Sequence, residues 1–116
     1  IAAIYERNLK DIIGLTLPKE APWATNIYWL YTVLINEKKA GITRDELIKK
    51  LKIDKIDTRP AFTPLHLQPV YNTGQKLPIA EKIANQGFSL PSYVNLNEDD
   101  IERICNAIKT LILINN

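Results

Sequence analysis

Ile27-Tyr28-Trp29-Leu30-Tyr31-Thr32-Val33-Leu34-Ile35 is the longest run dominated by apolar residues in the chain. It is rich in aromatic and β-branched side chains and too short for a typical core helix. That composition reads as a strand covered on both faces, and so as the central strand of a sheet. The same run is far too short to span a membrane.

The flanking segments surround this strand with helices. Upstream, Ile1, Ile4, Tyr5, Leu9 and Ile12 recur at helical spacing, and Gly14 stands where a left-handed cap would. A first helix is predicted over residues 1–13, then a loop from Leu15 to Thr25. Downstream, Asn36 to Gly41 reads as a polar turn. Thr43-Arg44-Asp45-Glu46 is a capping box, and Leu47, Ile48 and Leu51 give the helix over 44–52 its apolar face. A second strand is predicted over Ile56 to Arg59, followed by a long loop from Pro60 to Pro78. Pro78 suits a first helical position; Ile79 and Ile83, with Ala80 and Ala84, form the buried stripe of that helix, and Gly87 ends it. Phe88-Ser89-Leu90 is a short strand. Asn97 caps a last helix, whose apolar face is Ile101, Ile104, Cys105, Ile108 and Leu111 or Ile112. The order of elements gives an α+β fold, a small sheet covered by helices.

Composition narrows the function. With 116 residues, the chain has room for a single domain over 1–116 and a real core at 46% hydrophobic. A net charge of +2 does not point to nucleic acid or an anionic membrane. One cysteine forms no internal disulfide, and one histidine completes no zinc set, so no metal site is expected. A reducing cytoplasm is the expected compartment. Methionine is absent and the chain opens on Ile1-Ala2-Ala3-Ile4-Tyr5, which reads as the inside of a helix. The expectation is therefore a piece of a longer protein.

Chemistry-bearing residues concentrate in Thr58 to Tyr71. There Arg59, Phe62, His66, Gln68 and Tyr71 sit on a proline-stiffened loop leaving a strand end. An arginine so placed can grip a carboxylate or phosphate with two parallel hydrogen bonds. The commoner arrangement is a surface ion pair with Asp54 or Asp57. His66, between two leucines, reads more readily as a packed, hydrogen-bonded loop residue than as a base. Trp29 and Tyr31 read as core aromatics, whereas Asn26, at the strand entrance, suits a polar contact. Cys105 falls on a buried helix face and reads as inert. No glycine-rich phosphate loop or assembled nucleophile–base set is present, so no catalytic residue is assigned.

Four linked segments resemble a known family: T-R-P-A-F-T-P-L-H-L-Q-P-V-Y at 58–71, L-P-I-A-E-K-I-A at 77–84, F-S-L-P-S-Y at 88–93 and L-N-E-D-D-I-E-R-I at 96–104. In this order and spacing they resemble the C-terminal part of the DegT/DnrJ/StrS-type sugar aminotransferases. P-W-A-T-N-I-Y-W-L-Y at 22–31 is further similar to the perosamine synthase branch, which uses GDP-4-keto-6-deoxymannose. The resemblance implies the small C-terminal domain of a fold-type I, pyridoxal-phosphate-dependent enzyme. Such an enzyme moves an amino group, usually from glutamate, to a nucleotide-linked keto sugar, and works as a cytoplasmic homodimer. The large domain that binds the cofactor would be this chain's first partner. None of the eleven lysines lies in a matching motif, so no cofactor-binding residue is assigned. By position, Arg59 falls on the family's small-domain arginine and His66 on the histidine of its P-L-H loop. The resemblance implies that Arg59 contacts the amino-donor carboxylate or the sugar-nucleotide and that the 60–71 loop, with Phe62 and His66, walls the substrate site; Asn26 is expected there from its place at the strand entrance. Where members often carry glycine before the isoleucine opening the second strand, this chain has Lys55. A non-catalytic binding or regulatory module of the same fold, or a family dehydratase, also fits the residues.

The chain alone should not retain pyridoxal phosphate, whose covalent and electrostatic partners are missing. After mixing and dialysis, no absorbance band should remain. A retained stoichiometric band would overturn this expectation.

Overall fold

The computed structural model describes residues 1–114. Eleven short elements follow one another: α1 (Ala2–Leu9), β1 (Leu15–Thr16), β2 (Tyr31–Ile35), α2 (Glu37–Ala40), α3 (Arg44–Ile53), β3 (Arg59–Pro60), two single 3-10 turns (Leu65–Leu67 and Pro69–Tyr71), α4 (Pro78–Gln86), β4 (Gly87–Leu90) and α5 (Glu98–Ile114). The four strands form one antiparallel sheet in the order β1-β2-β4-β3. The α+β reading holds, and β2 is an interior strand.

Register decides what each side of the sheet does. Tyr31 faces Leu90 and Val33 faces Phe88 across the β2–β4 pair. These side chains are buried against Tyr5 and Leu9 of α1, Leu47 and Leu51 of α3, and Ile101, Ile104, Cys105 and Ile108 of α5. The rings of Tyr5 and Tyr31 stack with centroids 4.9 Å apart, and the Tyr5 hydroxyl donates to the Pro91 carbonyl at 2.8 Å. That one side chain ties α1 both to β2 and to the exit of β4. On α5, Ile112 completes the buried face, and Leu111 is half-buried. Burial pushes the Cys105 thiol up to about 11, so it stays protonated and unreactive, as its helical position implies.

Several sequence expectations are corrected. The first helix stops at Leu9, not residue 13, because Ile12 and Leu15 close tight turns onto Leu9 and Ile12. Gly14 does take a left-handed φ of +88°, but beyond the helix end, where it lies against Ala40 and its carbonyl accepts from Asn36 N–H at 2.7 Å. This contact draws Leu15–Thr16, expected as loop, into the sheet beside Leu34 and Ile35. The predicted strand from Ile27 is paired only from Tyr31. Asn26 Oδ1 accepts from Tyr28 N–H, and Tyr28 has φ +48°, so the chain bends there. Trp29, expected in the core, is 74% exposed. The polar turn at 36–41 is a one-turn helix ended by Gly41 at φ +68°. β3 begins at Arg59 rather than Ile56, and as an edge strand it tolerates Pro60. The expected buried stripe of α4 is not buried: Ile79 and Ile83 are exposed.

The start of α3 is built as the sequence implies, and its other end is closed by a motif that the sequence reading did not anticipate. Thr43 Oγ1 accepts from Glu46 N–H, and the Glu46 carboxylate accepts from Thr43 N–H at 3.1 Å, completing the capping box. At the other end of α3, Lys55 N–H bonds Lys52 O and Ile56 N–H bonds Leu51 O. This paired closure, with Ile56 and Leu51 both buried, is a Schellman motif. It needs a left-handed residue, and Lys55 supplies it at φ +59°. Lysine thus keeps the turn that glycine usually makes, at a conformational cost.

That cost is testable. Left-handed backbone costs a non-glycine residue about 1–2 kcal/mol, offset by about 0.5–1 kcal/mol for glycine's freer unfolded chain. Lys55→Gly should therefore raise unfolding stability in urea by about 0.5–1 kcal/mol. A loss of stability would show that the Lys55 side chain contributes more than its backbone costs.

Candidate functional site

Strand side chains alternate faces, so the residues between those core positions point the other way. Thr32, Ser89 and Arg59 lie in one row across β2, β4 and β3, set by the pairings Thr32↔Ser89 and Arg59↔Ser89. The Thr32 and Ser89 hydroxyls are hydrogen-bonded at 2.9 Å. All three residues line an open hollow of about 1070 Å³. Trp29, Phe62, Tyr93 and Arg103 wall it, and Ala80, Ile83 and Ala84 bring in one side of α4. Helix α4 approaches because Gly87 lets it: a Cβ there would meet Ala61 Cβ and Ile83 O, each at 2.7 Å.

Arg59 is the charged member of that row, with a side chain 79% accessible. Its Nε and Nη2 donate to Asp57 Oδ2 at 3.2 and 3.0 Å. The surface ion pair anticipated from sequence is therefore what this structure holds. Phe62 is 73% exposed, and its ring lies beside Trp29, centroids 6.4 Å apart and nearly parallel. Arg103, on the opposite rim, donates from Nη1 to the Asp54 carbonyl at 3.1 Å. The hollow thus combines apolar and aromatic walls with guanidinium groups on its rim.

The four candidate residues do not all meet here. Arg59 and Phe62 line the hollow together. His66 is buried, 7% exposed, behind the loop that walls it. Its Nε2 lies 3.0 Å from Glu81 Oε1 on α4; against a carboxylate, Nε2 carries the proton and donates. Asn26 is exposed, and its side chain is spent on the Tyr28 turn. Sequence reading missed Thr32, Ser89, Tyr93 and Arg103. The first two carried a usable signal: each sits one step out of phase with a core position on its strand.

Two carboxyls are held below the usual range. Hydrogen bonds from His66, then from Leu77 N–H, favour the ionised form of Glu81. The Thr43 hydroxyl and amide do the same for Glu46. Among the described residues no cluster suits a metal ion. Nor does the hollow suit pyridoxal phosphate. Its rim lysine, Lys55, is fixed at a helix terminus, Asp57 is committed to Arg59, and no glycine-rich phosphate loop borders it. No described helix is long and apolar enough to cross a membrane.

Comparison with known proteins places this geometry. The model of the DegT/DnrJ/EryC1/StrS aminotransferase family matches residues 1–109. GDP-perosamine synthase of Caulobacter vibrioides is 35% identical over 112 residues, 94% of this chain and 30% of that protein. The structure of DesI determined in the presence of its TDP-sugar product superposes with a TM-score of 0.86 at 28% identity, over 96% of this chain and 29% of that one. DesV of S. venezuelae, solved in complex with a ketimine intermediate, gives a TM-score of 0.84 at 32% identity, over 96% and 30%. The chain spans about 30% of the length of the curated relatives it matches.

The Glu81 bonds should leave a pH signature. A carboxyl with a depressed native pKa adds stability above its ordinary pKa and loses it as pH falls through the native value. The stability difference between the chain and Glu81→Gln should therefore be full near pH 7 and shrink below about pH 4.5, the ordinary glutamate value. Thermal melts from pH 7 to 3 measure it. A difference independent of pH would contradict the charged hydrogen bond.

Proposed function

This chain belongs to the DegT/DnrJ/EryC1/StrS aminotransferase family, and on that premise we propose that it is the small C-terminal domain of a sugar aminotransferase. The parent enzyme uses pyridoxal phosphate to move an amino group from an amino acid, glutamate in this reading, to a nucleotide-linked keto sugar. The relative that carries the finer assignment is the GDP-perosamine synthase, similar along 94% of this chain. It favours GDP-4-keto-6-deoxymannose as the acceptor. The cofactor belongs to the rest of the parent, and two copies of the parent pair as a cytoplasmic homodimer.

In this reading the hollow is the chain's share of the substrate site. Arg59 opens the edge strand β3 just before a proline-stiffened loop, and its planar fork loses less entropy per hydrogen bond than a flexible ammonium would. Asp57 holds the Nε–Nη2 edge of the fork and orients it. A substrate carboxylate or phosphate meets the Nη1–Nη2 edge. Phe62 and Trp29 give the apolar wall beside it. His66 supports that wall from behind, and Asn26 shapes the bend that presents Trp29.

The full-length parent, given pyridoxal phosphate, glutamate and GDP-4-keto-6-deoxymannose, should yield the 4-amino sugar by mass spectrometry. Loss of water without amination, or no reaction, would overturn the assignment. In that enzyme Arg59→Lys keeps the charge but loses the planar fork. The lost charge-assisted pair should cost about 1.5–3 kcal/mol, roughly ten- to a hundredfold in kcat/KM, with an unchanged thermal melt. Full activity in Arg59→Lys would return Arg59 to the role of a surface ion pair.

A further inference from the structure

The loop from Phe62 to Lys76 carries a buried histidine between two exposed leucines. Leu65 and Leu67 face solvent, at 66% and 47% exposure, while His66 turns inward. Hydrophobic burial alone would give the opposite arrangement, so something specific draws the imidazole in. That partner is Glu81. One carboxylate oxygen, Oε1, accepts from His66 Nε2 at 3.0 Å and from Leu77 N–H at 2.9 Å. Leu77 is the N-cap residue of α4, and Pro78 has no N–H to offer there. A single atom therefore closes the helix start and holds the middle of the loop.

The loop's other hydrogen bonds are local. Leu67 bonds Pro64, Gln68 bonds Leu65, Tyr71 bonds Gln68, and Gly74 bonds the Asn72 side chain. Such single 3-10 turns hold their own shape but not their place in the fold. The place matters because both partners wall the hollow: Phe62, Thr63, Pro64 and Leu65 from the loop, Ala80, Ile83 and Ala84 from α4.

We propose that Glu81 is the positioning residue of this site: through His66 it clasps the 62–71 loop to α4, so that two walls of the hollow move as one body. Its functional meaning rests on the reading of the hollow as the substrate side. The clasp itself is a statement about this chain alone.

The chain has one histidine, so a ring-nitrogen spectrum reports the clasp directly. The ring should carry a proton on Nε2, the nitrogen that faces Glu81. His66→Phe keeps a ring and its burial, removes the donor, and leaves the Leu77–Glu81 bond in place. It should speed amide exchange at Leu67, Gln68 and Tyr71 at least tenfold, with the β2–β4 ladder within twofold of the unsubstituted chain. Glu81→Ala should do the same to the loop. Glu81→Gln, which keeps an acceptor, should restore loop protection to within about threefold. The proposal is overturned by a ring with no proton on Nε2, by loop amides already exchanging at the unfolded rate in the unsubstituted chain, or by loop exchange unchanged in His66→Phe. It is equally overturned if loop and ladder rise together, or if Glu81→Gln and Glu81→Ala both fail to fold. Because no activity is read, any of these results leaves the family and the Arg59 reading standing.

Discussion

The antiparallel register between β2 and β4 sets almost everything else. Pairing Val33 with Phe88 and Tyr31 with Leu90 sends four large side chains to one face of a small sheet. A one-residue slip would turn them all to the other face. Those side chains are what α1, α3 and α5 pack upon, so the register and the core specify each other. The Tyr5–Tyr31 stack and the Tyr5 hydrogen bond to Pro91 lock the first helix onto that choice.

The same register leaves the opposite face polar and open. Thr32, Ser89 and Arg59 are there because the pleat alternates. Helix α4 covers one end of this face, where Gly87 permits close approach, and the hollow occupies the rest. The chain exposes 8111 Å², about 1,700 Å² more than roughly 6,400 Å² expected from surface scaling at this mass. The excess fits the uncovered apolar side chains of the two long loops, Trp23 and Ile27 in one and Val70 and Tyr71 in the other. Exposed apolar surface of that kind marks a face used for contact. The chain itself spans about 30% of the length of its relatives.

The starts of α3 and α5 and the core stripe of α5 were legible in the sequence because local chemistry determines them. The Thr43–Glu46 capping box, the Asn97 cap, which bonds Asp100 N–H at 2.8 Å, and the stripe from Ile101 to Ile112 form as their spacing implies. What misled was apolar composition without a stated partner. Trp29 and Ile27 look like strand core, but the bend at Tyr28 leaves both outside the sheet, whose pairing starts at Tyr31. Ile79 and Ile83 look like a buried stripe, but their helix faces the hollow. In both cases burial depends on long-range placement, which periodicity does not carry. The Arg59–Asp57 pair was legible as one of two readings, whereas Glu81 was invisible. Its partner lies fifteen residues away, and nothing in its own segment marks it.

The central claim is that the polar face carrying Arg59 meets the substrate in the parent enzyme. A crystal structure of the full-length protein with its nucleotide-linked sugar tests this most directly. The account predicts an oxygen of a substrate carboxylate or phosphate within about 3 Å of the Arg59 guanidinium, and Phe62 against the ligand. A ligand bound elsewhere, with Arg59 still engaged by Asp57 alone, would contradict it.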